Sequence, residues 1–288
     1  MRVFRRSLDS DQIVSIVGPT GSGKTSRALE LYRPGDCLVS LDSVAVYKGL
    51  DIGAAKPDRS SHPWLGLDIW DPQRERATVA DFCRNVLPDV EDALANQRRV
   101  LLVGGSHFYE SALVDGLGAG GPSDAAFQKS LDVFSNRELW DRLNRCDPVW
   151  ATHLNTNDRY RLMRALDLSE RQSLSYTENQ RRRPGLANSW DVVTEVVGLD
   201  WDRETYASRL KVRLDAMIHA GWVEELRSLL DSGVSPDSHA LSSVGYRQMA
   251  SFVSGRAPWT LTYDEILISH LQLVKKQKTW LRSKLKAT

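Results

Sequence analysis

The sequence predicts an α/β fold: a parallel sheet flanked by helices, with a helical subdomain inserted into it. Three observations carry this. The β-branched run Ile13–Val17 ends on glycine and is followed by helix-forming residues. Further apolar runs alternate with helix-like stretches as far as Gly104-Gly105. From Gly118 the alternation gives way to an arginine-rich, mostly helical region, and strand-like sequence returns only at Val192.

In order, residues 13–17 form a strand, and residues 24–32 form a helix stopped by Pro34-Gly35. Cys37–Leu41 reads as a second buried strand, and residues 100–103, entering Gly104-Gly105, as a third. Residues 79–96 between them read as a crossover helix with Thr78 as its N-cap. Alternating strands and helices imply right-handed crossovers, with ligands expected at the strand C-terminal ends. The Gly-Ala-Gly-Gly-Pro-Ser stretch then opens an insert over 120–190, which separates a first core segment, 1–119, from a second, 191–288. Within the insert, Arg181-Arg182-Arg183-Pro184-Gly185 is expected to be a mobile loop, because adjacent like charges before Pro-Gly resist regular structure. Residues 192–199 return as a strand, 206–230 as one long helix, and 266–286 as a terminal helix.

A chain of 288 residues, 41% hydrophobic, can bury a substantial core. Thirty-eight basic residues against thirty-seven acidic ones leave a net charge of +1, so any nucleic-acid contact must come from local clustering. Cys37, Cys83 and Cys146 are too scattered for a disulfide framework or a thiolate zinc site, which points to a reducing, cytoplasmic setting. Asp9 and Asp11 interrupt the arginines of the N-terminus, unlike a signal peptide. No apolar stretch approaches the roughly 18 to 20 residues that span a bilayer. The expectation is a soluble monomer.

The chemistry is announced by Gly18-Pro19-Thr20-Gly21-Ser22-Gly23-Lys24-Thr25, a full match to G-x-x-x-x-G-K-[ST] placed after a strand and before a helix. This is the P-loop of NTPase-like folds. Its glycines let backbone N–H groups turn toward phosphate oxygens, and the helix N-terminus adds partial positive charge. Gly18, Thr20, Gly21, Ser22, Gly23, Lys24 and Thr25 are the expected diphosphate contacts, with Thr25 as a ligand to Mg²⁺. A P-loop kinase or ATPase also presents an acid at the end of a second buried strand. Here strand 100–103 ends in Gly104-Gly105, whereas Cys37–Leu41 runs into Asp42-Ser43. Asp42 beside the grip is fit to hold magnesium, to take a proton from a nucleophile, or simply to cap a turn.

From Asp42 the sequence Asp-Ser-Val-Ala-Val-Tyr-Lys-Gly-Leu-Asp-Ile-Gly-Ala-Ala-Lys56-Pro57 closely resembles the segment after the P-loop in tRNA dimethylallyltransferases, also called tRNA isopentenyltransferases. The resemblance continues in order through Asp68-Ile-Trp-Asp71-Pro72, Leu102-Val-Gly104-Gly105, Arg161-Leu-Met-Arg164, Arg213-Leu-Asp-Ala-Met217, Val244-Gly245-Tyr246-Arg247-Gln248 and Gln277-Lys-Thr279-Trp280-Leu-Arg282. It implies transfer of a dimethylallyl group from its diphosphate to N6 of an adenosine beside the anticodon. The P-loop then holds a prenyl diphosphate instead of ATP. The resemblance makes Asp42 the general base, and Lys24, Thr25 and Arg213 the stabilisers of the departing diphosphate, with Mg²⁺ assisting. Arg209 and Arg213 lie four apart on one helix face, which suits phosphate but equally suits pairing with Asp215 or Glu204.

By the same resemblance tRNA is the partner, touched by Asp42, Ser43, Val44 and Ala45, by Arg161 and Arg164 of the insert, and by Ser242, Gly245, Tyr246 and Arg247. A last segment contributes Lys276, Gln277, Thr279, Trp280 and Arg282. No acidic residue follows Glu265, and the basic stretch around Trp280 attracts phosphate backbones in its own right. These patches are expected to converge on an anticodon stem-loop, whose unpaired bases are the readable part of a folded RNA. Two departures stand out. Family members carry Arg-Gln after the Asp-Ser where this chain has Val44-Ala45, and Gly104-Gly105-Ser106-His107-Phe108-Tyr109 is closer to the Gly-Gly-Ser form of adenylate isopentenyltransferases. Three alternatives therefore stay open: prenylation of a free adenine nucleotide, a P-loop kinase, and a tRNA-binding protein that has lost turnover.

Overall fold

The computed structural model describes residues 12–73, 77–118, 120–181 and 185–287. The chain opens with β1 (Ile13–Val17), α1 (Lys24–Leu31), β2 (Cys37–Leu41) and β3 (Trp64–Leu65). It continues with α2 (Val79–Ala95), β4 (Val100–Gly104) and α3 (His107–Val114). Every residue of β1, β2 and β4 is buried, as expected of strands covered on both faces. Thr78 caps α2 as expected: its hydroxyl accepts the Asp81 N–H while the Asp81 carboxylate accepts the Thr78 N–H.

The helices of the insert follow, and β5 (Val192–Val196) then completes one parallel sheet in the order β3-β2-β4-β1-β5. Val17 and Leu41 both register with Gly104. The exits of β1, β2 and β4 therefore fall side by side, which is what gathers the P-loop, Asp42 and Gly105 at one edge.

The contacts divide the chain into two compact units, one holding the residues up to Val114 together with those from Ser189 onward, the other Asp115–Asn188. The second unit comprises α4 (Ala125–Ser130), α5 (Asn136–Cys146), α6 (Pro148–Thr152), α7 (Arg159–Leu166) and α8 (Tyr176–Arg181), with a π-helical turn, Asp167–Arg171, after α7. It has its own core around Leu139, Leu143, Trp150, Leu162 and Leu166. Asp147, buried, uses one carboxylate oxygen to cap α6 and the other to accept the Tyr176 N–H. Of the arginine loop expected here, Arg181 closes α8, and residues 182–184 lie outside the described residues.

Back in the first unit come α9 (Arg203–His219), α10 (Trp222–Asp231), α11 (Tyr246–Val253) and α12 (Trp259–Ala287). The single helix expected over 206–230 is two helices. Gly221, at φ 97°, takes a left-handed conformation that a helix interior cannot contain, so the chain turns there and restarts at Trp222. The terminal helix begins at Trp259 rather than 266, because Pro258 supplies its first acceptor to Thr262 and buried Thr262 continues the inward stripe. Strand β5 stops at Val196, short of the expected 199. Among the described residues no helix is long and apolar enough to cross a membrane.

Candidate active site

The P-loop leaves β1 at Val17 and enters α1 through Gly23, whose left-handed backbone caps the helix without a side chain. Its turn is closed by Ser22 N–H to Pro19 O at 3.2 Å. Lys24 folds back over the loop, donating from Nζ to Pro19 O at 2.8 Å. Burial holds the Lys24 ammonium down to a pKa of about 8; the positive charge of Arg213 adds to this, and Asp42 opposes it. Arg213, from α9, is half-buried, with its proton affinity lowered by burial and partly restored by Asp42. Its Nε has no hydrogen-bond partner. The two cations and Asp42 thus share one electrostatic neighbourhood, with the cations desolvated and set against each other.

Asp42 sits at the exit of β2, where its Oδ1 accepts the Val44 N–H at 2.7 Å and the Ala45 N–H at 3.2 Å. The turn-capping reading is therefore real, yet it uses one oxygen only. Among the described residues Oδ2 has no donor, so capping and proton acceptance are compatible. The missing second-strand acid has a steric cause: a Cβ on Gly104 would lie 2.2 Å from Leu41 O, and one on Gly105 2.8 Å from Gln277 Nε2. Thr25 is exposed at the start of α1, and its hydroxyl and the Asp42 carboxylate are hard oxygen donors that suit Mg²⁺. Ser22 is buried with its hydroxyl unpartnered.

Several groups that the motif alone does not reveal complete the site. Arg209, one turn before Arg213, stacks over Trp201 at 4.7 Å and donates to Gly21 O at 3.0 Å, holding the outer rim of the loop. His107 lies in a parallel stack on Trp280, 4.2 Å between centroids and 5° between planes. Burial lowers the His107 pKa to about 4, opposed by the Gln277 backbone and aided by the charges of Lys24 and Lys284; among the described residues neither ring nitrogen reaches a partner at hydrogen-bonding geometry. Leu210, Leu214, Met217, Leu267 and His270 line a small cavity beside Arg213. Glu225 of α10 steadies the stretch after Asp42 by accepting the Asp51 and Ile52 N–H groups at 2.9 and 2.6 Å, and the Tyr246 hydroxyl at 2.6 Å.

The residues expected to face RNA divide sharply by orientation. Ser43, Arg161, Ser242, Arg247, Lys276, Thr279 and Arg282 are exposed. Val44 is partly covered, and Ala45 is buried in the cluster of Val14, Ala28 and Leu38 beneath the loop, so its side chain offers nothing to an RNA. Arg164 turns inward to Asp167, a fully buried carboxylate that it shares with Arg171, at 2.8 and 2.7 Å. Gly245 and Tyr246 are buried against Trp222, and Gln277 is buried against the P-loop. For these the spacing of apolar neighbours was the available signal: Val274, Gln277 and Leu281 fall on one helical face.

The family profile for IPP transferases matches residues 45–284. The tRNA dimethylallyltransferase of Oceanobacillus iheyensis is 32% identical over 284 residues, an alignment spanning 96% of this chain and 89% of that relative. Among solved structures, the tRNA isopentenylpyrophosphate transferase of Bacillus halodurans superposes with a TM-score of 0.66 at 26% identity, covering 94% of this chain and 87% of that one. A eukaryotic dimethylallyltransferase acting on tRNA shares the fold with a TM-score of 0.79 at 20% identity, over 94% of this chain and 70% of that one.

Proposed function

The chain belongs to the IPP transferase family, and from that premise we propose that it transfers a dimethylallyl group from dimethylallyl diphosphate to N6 of an adenosine next to the anticodon of a tRNA. The observation that carries the reading is the convergence of Lys24, Arg213 and Asp42 at the P-loop. Two desolvated cations suit an anion that gains charge as it leaves, and an adjacent carboxylate suits a proton that must be removed.

In the reaction the N6 lone pair forms a bond to C1 of the dimethylallyl group while the C1–O bond to diphosphate breaks. Asp42 Oδ2 takes the N6 proton. Lys24, Arg213 and the backbone N–H groups leading into α1 receive the charge on the leaving diphosphate. Mg²⁺, held by Thr25 and the diphosphate oxygens, would supply further neutralisation. On the RNA side, Arg161 in the insert and Arg247, Lys276 and Arg282 in the other unit are exposed cations available to phosphates.

The test is to incubate the protein with dimethylallyl diphosphate, Mg²⁺ and either an unmodified tRNA with an adenosine-rich anticodon loop or adenosine monophosphate, then digest and weigh the nucleosides. Dimethylallyl-adenosine is expected from tRNA only. Asp42→Asn is expected to lower kcat by about 100-fold or more, as loss of a general base does. Product from the mononucleotide alone would reassign the acceptor, and no product from either would refute the reading.

A further inference from the structure

We propose that Gln277 is a positioning residue of the diphosphate grip: it fixes the orientation of the Pro19–Thr20 peptide of the P-loop from α12, and its partners are protein groups rather than RNA. Its Oε1 accepts the Thr20 N–H at 2.9 Å, and its Nε2 donates to Gly105 O at 2.9 Å. Both ends of the buried amide are thereby satisfied. The Thr20 N–H and the Pro19 carbonyl belong to one peptide plane, and Lys24 Nζ holds that carbonyl at 2.8 Å. The plane is clamped from both sides. Lys24 is the clamp an arriving diphosphate must share, whereas Gln277 can keep its hold throughout.

The surroundings explain why this falls to a glutamine. Gly105 lies so near that a Cβ there would be 3.3 Å from Gly18 O and 3.6 Å from Lys24 Nζ, so the end of β4 and the P-loop nearly touch. An uncharged side chain with a donor and an acceptor bridges them without altering the charge beside Lys24. A carboxylate would neutralise that lysine, and an ammonium would add to the repulsion it already meets from Arg213. The exposed cations Lys275 and Arg282 of α12 lie on the face of the helix away from Gln277, and Lys276, also exposed, lies on its flank. RNA attraction and loop positioning are therefore separable on one helix.

The inference rests on the P-loop's being a diphosphate site, and the experiment keeps the two claims apart. Pyrophosphate affinity is measured by calorimetry, and affinity for an anticodon stem-loop RNA by anisotropy, on the full chain and on Gln277→Met, Gln277→Glu and Lys276→Gln. Losing the two hydrogen bonds is expected to weaken pyrophosphate binding by Q277M roughly five- to tenfold, with RNA affinity within about twofold of the parent. Gln277→Glu is expected to bind pyrophosphate more weakly still, and Lys276→Gln to show the reverse split. In turnover, KM for dimethylallyl diphosphate should rise in Q277M while KM for RNA holds. An unchanged pyrophosphate affinity in Q277M overturns the inference alone, as does an equal loss of RNA affinity. A parent protein that binds no pyrophosphate overturns the diphosphate reading and this inference with it.

Discussion

At the scale of single residues the site is arranged against its own charge. Lys24 is half-buried near Arg213, and its pKa in the fold, about 8, lies below the ordinary 10.5. The unfolded chain therefore binds this proton more tightly than the folded one between those values. Below about pH 8 the folded protein bears the whole cost of a charged Lys24, and the cost fades as pH rises toward 10.5. Lys24→Met should consequently raise the melting temperature of the ligand-free protein at pH 7 while abolishing pyrophosphate binding, and the gain should shrink as melting is repeated at higher pH. Bound diphosphate works the other way, raising the Lys24 pKa. Pyrophosphate affinity of the parent should fall above about pH 8, by up to tenfold per unit, as the free lysine loses its proton.

At the scale of elements, what was legible in the sequence depended on whether neighbours in the chain are also neighbours in space. The P-loop and Asp42 were legible because each is a short contiguous segment at a strand exit, and the three fully buried strands announced themselves as unbroken apolar runs. Arg213 was not, since nothing within α9 distinguishes an arginine facing the loop from one facing water. Only the family resemblance singled it out. For Gln277 and Arg164 the resemblance implied contact with RNA, whereas both side chains are engaged inward, with the P-loop and with Asp167, as the apolar spacing around them suggests. The break at Gly221 was missed because glycine inside a helical pattern is tolerated when its φ is negative, and sequence does not give φ. The break has a purpose at the site, since α10 presents Glu225 to the backbone of residues 51 and 52. A Cβ at 221 would meet only Glu224 Oε2 at 3.7 Å, so the strain of Gly221→Ala is conformational rather than steric. Urea denaturation should show a loss of about 1 kcal/mol or slightly more, and an unchanged midpoint would mean that the turn accommodates a side chain.

For the whole molecule the deciding quantity is where charge lies rather than how much there is. A net charge of +1 provides no long-range attraction for a polyanion. The exposed cations of α12 form a local exception, because no acid follows Glu265 while Lys275, Lys276 and Arg282 face solvent on one helix. Inward cations of the same helix are already committed, Lys284 to buried Glu110 at 2.7 Å and Lys278 to the Trp201 carbonyl. RNA affinity should therefore depend on salt through the outward set. Each phosphate contact on a single strand contributes roughly 0.7 to the slope of log affinity against log salt, and on a duplex roughly 0.9. Replacing Lys276 and Arg282 together by glutamine should reduce that slope by about 1.4 to 1.8 units while leaving pyrophosphate affinity alone, because both side chains are exposed and neither hydrogen-bonds the P-loop among the described residues. A slope unchanged by the double replacement would place the RNA on another face, and a parallel loss of pyrophosphate affinity would mean that the two faces of α12 do not act separately.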